Sequence, residues 1–181
     1  MSGRRCFMMG HRDAAQDIYP ALCAAVEKHI VSCGVTEFIV GHYGRFDTLA
    51  ANAVKAIKQK YKVQLILLLP YHPTEKFVPL PDGFDGTCYP PGMERVPRRF
   101  AIVRANQYMV DHTEFLIAYA WRSASNAKNL LEYARKKERK GDVYKRQKVH
   151  LLERLPAQLY PPPRQRERPH RAAGLLQHLL L

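Results

Sequence analysis

Two short stretches hold the residue types best suited to binding chemistry. Gly41-His42-Tyr43-Gly44, with Asp47 just beyond, follows the apolar run Phe38–Val40 and precedes a helical pattern. Gly10-His11-Arg12-Asp13 follows the apolar run Cys6–Met9 in the same way. A strand that enters a glycine turn and leaves as a helix offers an anion backbone N–H groups and the positive end of the helix dipole. Gly41 and Gly44 let a phosphate approach the backbone closely. Arg12 can pair with a phosphate bidentately, and Asp47, an acceptor, suits a ribose hydroxyl better than a phosphate. Each residue also has a purely structural role open to it. The glycines can simply make a tight turn, Asp47 or Thr48 can cap the helix, and His11 can hydrogen-bond nearby backbone. Arg12 can pair with Asp13 or Asp17 at the surface.

These turns need strands and helices to hold them. Cys6–Met9, Phe38–Val40 and Leu65–Leu69 are short apolar runs without alternation, as expected of strands covered on both faces. Between them, Leu22, Ala25, Val26, His29, Ile30 and Cys33 recur at helical spacing over 18–33, with Pro20 in the first turn and Gly34 as the stop. Leu49, Ala50, Ala53, Val54 and Ile57 give a second apolar face over 46–60. Strand–helix–strand–helix–strand is the order of a doubly wound α/β domain, a mostly parallel sheet with helices on both faces. Residues 71–98 hold six prolines and three glycines and read as a long loop, placed as a lid over the strand ends. A helix over 99–110, a strand at Phe115–Tyr119 and a helix over 127–140 capped from Ser123–Asn126 complete the pattern.

The 181 residues make one domain with a real core, and the hydrophobic and charged fractions of 46% and 25% are ordinary. The net charge of +13 is not, and it is spread along the chain, with +8 on residues 1–140 and +5 on 141–181. It points to anionic partners, either small phosphorylated ligands or nucleic acid. Charge alone supports nucleic acid, because no aromatic-interleaved basic motif accompanies it. The four cysteines form no CxxC pair and read as free thiols of a reducing compartment, and no Cys/His pair has zinc-ligand spacing. The N-terminal apolar run is too short for a signal peptide and no run reaches the roughly 20 apolar residues of a membrane span, so the chain reads as cytoplasmic, with no membrane partner. The residues leave its oligomeric state open. Residues 141–181, rich in Pro, Arg, Gln and Leu, differ in character from the rest. They read either as coding sequence in a shifted frame or as an authentic basic, flexible tail, and only Val149–Leu152 can supply a further strand.

In order, the motifs are Cys6–Arg12, Gly41–Asp47, Leu69-Pro70-Tyr71, Arg104-Ala105-Asn106-Gln107-Tyr108-Met109-Val110-Asp111 and Phe115–Tyr119. Together they resemble the YpsA-like branch of the SLOG superfamily, which includes the DprA and Lonely Guy proteins. The resemblance covers about residues 4–140. It implies a Rossmann-like domain that binds nucleotides or nucleotide-derived ligands at the C-terminal ends of its strands. It places Gly10 and Arg12 beside the ligand, Gly41, Gly44 and Asp47 in the main binding turn, and Arg104, Asn106 and Asp111 near the far side. It implies no other cofactor.

This chain departs from the family pattern twice. His42 stands where the family usually has a second glycine, narrowing the approach while offering a donor of its own. The usually glycine-rich loop after the fourth strand reads Trp121-Arg122-Ser123-Ala124-Ser125-Asn126, where Ser123 and Ser125 can donate. The phosphoribohydrolases of the superfamily place a Glu after this loop. Here the stretch offers Lys128 and Asn129, and the first acid is Glu132. Cleavage through an oxocarbenium-like state needs a carboxylate in reach. The expectation is therefore binding, as a sensor or accessory protein, with nucleotide hydrolysis as the alternative and nucleic-acid association as a third reading.

Overall fold

A computed structural model describes residues 3–140 and 148–152. Strands β1 (Arg4–Gly10), β2 (Val35–Val40), β3 (Gln64–Leu68), β4 (Gly86–Cys88), β5 (Phe115–Tyr119) and β6 (Lys148–Leu151) form one sheet in the order β4-β3-β2-β1-β5-β6. Every pairing is parallel. Helices α1 (Tyr19–Cys33), α2 (Arg45–Ile57), α3 (Ala101–His112) and α4 (Asn126–Lys140) connect them. The fold is a Rossmann-like, doubly wound α/β sheet, as its strand and helix pattern predicts.

The unalternating strands are explained by the two cores. In β1, Cys6 and Met8 face one cluster with Leu22, Val26, Leu49 and Val54 of α1 and α2. Phe7 and Met9 face the other, with Met109 and Leu131 of α3 and α4. Successive residues thus serve opposite faces, and all five residues of β5 are buried. Helix α1 stops where Gly34 adopts φ 66°, a left-handed C-cap that a residue with a Cβ resists.

Two expectations need correction. The proline-rich segment contains a three-residue edge strand, β4, a length and position that its flanking prolines permit. The segment is moored at the β3 edge, where Asp85 takes the Leu65 N–H and the Lys58 ammonium. None of residues 71–98 lines the cleft described below, where the lid expectation would put them; Tyr71 and Lys76 pack instead on the ring of Tyr43. The folded unit also extends past Lys140: β6 pairs with β5 from Phe115↔Lys148 to Ala118↔Leu151, and Leu152 is buried. The rest of the tail reading falls on 141–147 and 153–181, outside the described residues. Among the described residues, no helix is long and apolar enough to cross a membrane.

The strand order reverses between β1 and β5: β2 and β3 lie on one side of β1, while β5 and β6 lie on the other. At such a switch point the connections leave in opposite directions and open a crevice at the strand C-termini. Gly10, the last residue of β1, is packed there for an internal reason. A Cβ on it would lie 2.3 Å from the buried ring of Phe46 in α2. Gly10→Ala is expected to lower stability by about 1–3 kcal/mol, the usual cost of overpacking a core. Urea unfolding checks this; an unchanged midpoint would mean that Phe46 can move aside freely.

Candidate functional site

A cleft of about 470 Å³ opens at this switch point. Gly10, His11, Arg12, Gly41, Gly44, Asp47, Asn106 and Ser125 line it, drawn from the ends of β1 and β2, from α3 and from the first turns of α2 and α4. Apolar side chains, including Met9, Leu68, Ile102, Val103 and Leu130, contribute the rest of the wall. The cleft combines an apolar surface, two helix N-termini and several arginines, which suits an anion carrying a flat apolar group.

The β2–α2 turn is not an empty cradle. The N–H groups of Tyr43 and Gly44 both donate to Asp47 Oδ2, at 2.9 and 3.1 Å. Gly44 is the N-cap of α2, and Asp47, three residues on, supplies the back-bonding half of a capping box. The helix-cap alternative for Asp47 is therefore realised, from inside the first turn. Burial raises its pKa to about 6, against the two N–H bonds, which favour the charged form. Gly44 has an ordinary extended backbone, φ −145°, so a left-handed conformation is not why glycine stands there. A Cβ would lie 2.9 Å from Arg12 Cα, and the Arg45 N–H donates to the Arg12 carbonyl at 2.7 Å. The glycine allows the two junctions to touch each other.

The β5–α4 connection is filled in a similar way. His11 is 4% exposed, and its Nε2 accepts the N–H groups of Trp121 and Arg122 at 2.9 and 3.0 Å. The backbone N–H of His11 donates to the Tyr119 carbonyl. An Nε2 that accepts twice requires a neutral ring protonated on Nδ1. Burial, followed by the Arg122 charge, holds the His11 pKa below 6.5. This bond supports the loop above that value and is lost as pH falls through the lowered pKa. Ser125 Oγ donates to the Arg122 carbonyl and accepts the Lys128 N–H, making it the N-cap of α4. Ala124 takes φ 54° in this connection, a left-handed conformation costly for an L-residue with a Cβ. The backbone thus makes a glycine-like turn with alanine in it.

The arginines are arranged differently from the expected surface pairing. Arg12 Nε donates to the Tyr43 carbonyl at 3.0 Å, while Asp13 pairs with Arg122 at 2.6 Å. Arg99 and Arg122 also line the cleft. Neither stands in a glycine turn, and only their position flanking α3 and following β5 could have marked them.

Four expected site residues do not line the cleft. The ring of His42 lies against Tyr43, with centroids 4.1 Å apart, and its buried Nδ1 has no partner among the described residues. Burial, then the Lys76 charge, lowers its pKa. Arg104 is exposed and donates to Gln107. Asp111 accepts from Tyr133 and Lys137, joining α3 to α4. Ser123 is exposed outside the lining. On α3, a helical spacing carries Asn106 to the cleft and turns Arg104 and Asp111 elsewhere.

Among the described residues no group of three or more His, Cys, Asp or Glu is placed to hold a metal ion. Cys6, Cys23, Cys33 and Cys88 are free thiols. No protein-family model and no curated protein matches this chain.

Asp47 gives a direct check of the turn. A folded-state pKa raised from 3.8 to about 6 means that its contribution to stability is full below about pH 4 and lost as pH rises through 6. Asp47→Asn is expected to gain on the wild type across that window by at most about 3 kcal/mol, at about 1.36 kcal/mol per pH unit. Urea unfolding at pH 4, 5, 6 and 7 measures it. A difference that does not change with pH would show that the carboxyl titrates as an exposed group.

Proposed function

We propose that the switch-point cleft binds a nucleotide or nucleotide-derived ligand, and that the protein is a cytoplasmic sensor or accessory protein of the YpsA-like branch of the SLOG superfamily. The observation that carries this reading is the composition of the switch-point cleft: arginines and the N-termini of α2 and α4 beside an apolar wall, at the C-terminal ends of a parallel sheet. Such a site suits a phosphate and a base held together.

Binding without turnover is favoured by the state of the acids. Asp13 and Asp47 are the carboxylates that line the cleft. Asp13 is held by Arg122, and one oxygen of Asp47 is held by two backbone N–H groups. Cleavage of a glycosidic bond needs a carboxylate poised at the bond, not one closing a helix end.

A thermal-shift screen over ATP, ADP-ribose, NAD and nucleoside monophosphates tests the proposal. A true ligand at a hundredfold excess over Kd should stabilise the fold by about 2.7 kcal/mol. Chromatography of that ligand after long incubation should return it unchanged; conversion would favour the hydrolase alternative. No stabilisation by any nucleotide, with steeply salt-dependent DNA binding instead, would replace the reading by nucleic-acid association.

A further inference from the structure

We propose that the ligand's phosphate is seated by a guanidinium clamp of Arg12, Arg99 and Arg122, and not by the backbone of the glycine turn. The inference rests on the nucleotide reading of the cleft and names the groups that recognise the charge. Five of the backbone donors at these junctions are already taken. Asp47 Oδ2 holds the Tyr43 and Gly44 N–H groups, His11 Nε2 holds those of Trp121 and Arg122, and the Arg12 carbonyl holds that of Arg45. A phosphate oxygen on any of these five N–H groups would have to displace Asp47, His11 or the Arg12 carbonyl. The arginines have donors to offer.

Each arm is braced in a way that leaves N–H groups available. Arg12 uses Nε on the Tyr43 carbonyl, which fixes the stem and leaves both terminal nitrogens. The Arg99 guanidinium lies over Phe100 at 4.7 Å, and that of Arg122 over Trp121 at 5.2 Å. A stacked guanidinium uses its face and keeps its in-plane donors for an oxyanion. This also accounts for two large apolar side chains at the surface: Phe100 and Trp121 are 46% and 42% exposed. They act as platforms for the arms. One Arg122 terminal nitrogen is held by Asp13 in an exposed ion pair. Pairs of that kind contribute little, so a phosphate dianion competes with Asp13 for the arm.

The probe is pyrophosphate, titrated calorimetrically at fixed ionic strength into wild type, Arg99→Gln, Arg122→Gln, Phe100→Ala and Phe100→Tyr, with AMP and adenosine as parallel ligands. Arg99 and Phe100 are exposed at the surface, and far-UV spectra of each variant are the check that it folds. Each arginine variant should lose about tenfold or more for pyrophosphate and AMP, and little for adenosine. Phe100→Ala should lose severalfold with Arg99 intact, and Phe100→Tyr should restore it, because the tyrosine ring keeps the platform. Pyrophosphate that fails to bind the wild type, or binds both arginine variants within twofold of it, overturns the clamp. AMP binding unchanged in those variants overturns it too, while leaving the nucleotide reading standing. Pyrophosphate binding that depends on the arginines, with AMP no tighter than pyrophosphate and adenosine not bound, keeps the clamp and removes the nucleotide reading.

Discussion

The site depends on one close approach. The end of β1 and the start of α2 touch backbone to backbone, with Gly44 against Arg12 Cα and the Arg45 N–H on the Arg12 carbonyl. Phe46, the next residue, lies across Gly10 with its ring stacked on Tyr119 of β5. Two glycines therefore let three neighbouring strand ends share one packed floor. The cleft opens above that floor because the chain leaves β1 and β5 in opposite directions.

That contact changes what the glycines mean. A glycine turn between strand and helix suggests close approach of a ligand. Here Gly10 and Gly44 admit other parts of the same chain, and a Cβ on Gly41 would come within 3.0 Å of Asp47 Oδ2. Once the turn has folded, its Tyr43 and Gly44 N–H groups are satisfied internally by an acid three residues into the helix, and a histidine after β1 does the same for the Trp121 and Arg122 N–H groups after β5. Both groups carry shifted pKa values because they are enclosed. Their effects on stability run in opposite directions, since Asp47 favours the protonated form and His11 the neutral one.

Much of the architecture was legible in the residues. Apolar runs such as Phe115–Tyr119, short and with no polar alternation, fit strands covered on both faces, and the spacing around Leu22 and Leu49 fits helices. The edge strand Gly86–Cys88 was not legible, since three residues between prolines carry no periodicity. Of the site, the stretches at Gly10–Arg12 and Gly41–Asp47 were found because glycine, arginine and acid fall at a strand-to-helix junction. Asp111 was misplaced because a helix turns each residue by about 100°, and motif order does not say which face it takes. Arg99 and Arg122 were missed because an arginine next to an aromatic has no distinctive pattern until the fold brings it to the cleft.

The most direct measurement of the account is an amide and arginine side-chain NMR map of the isotopically labelled protein with its best-stabilising nucleotide. The account predicts that the largest shifts fall on residues 10–13, 41–47, 99–106 and 121–127, joined by the Nε–H resonances of Arg12, Arg99 and Arg122. Shifts centred on the β4 edge or on the outer face of α1, with the switch-point residues unmoved, would contradict it.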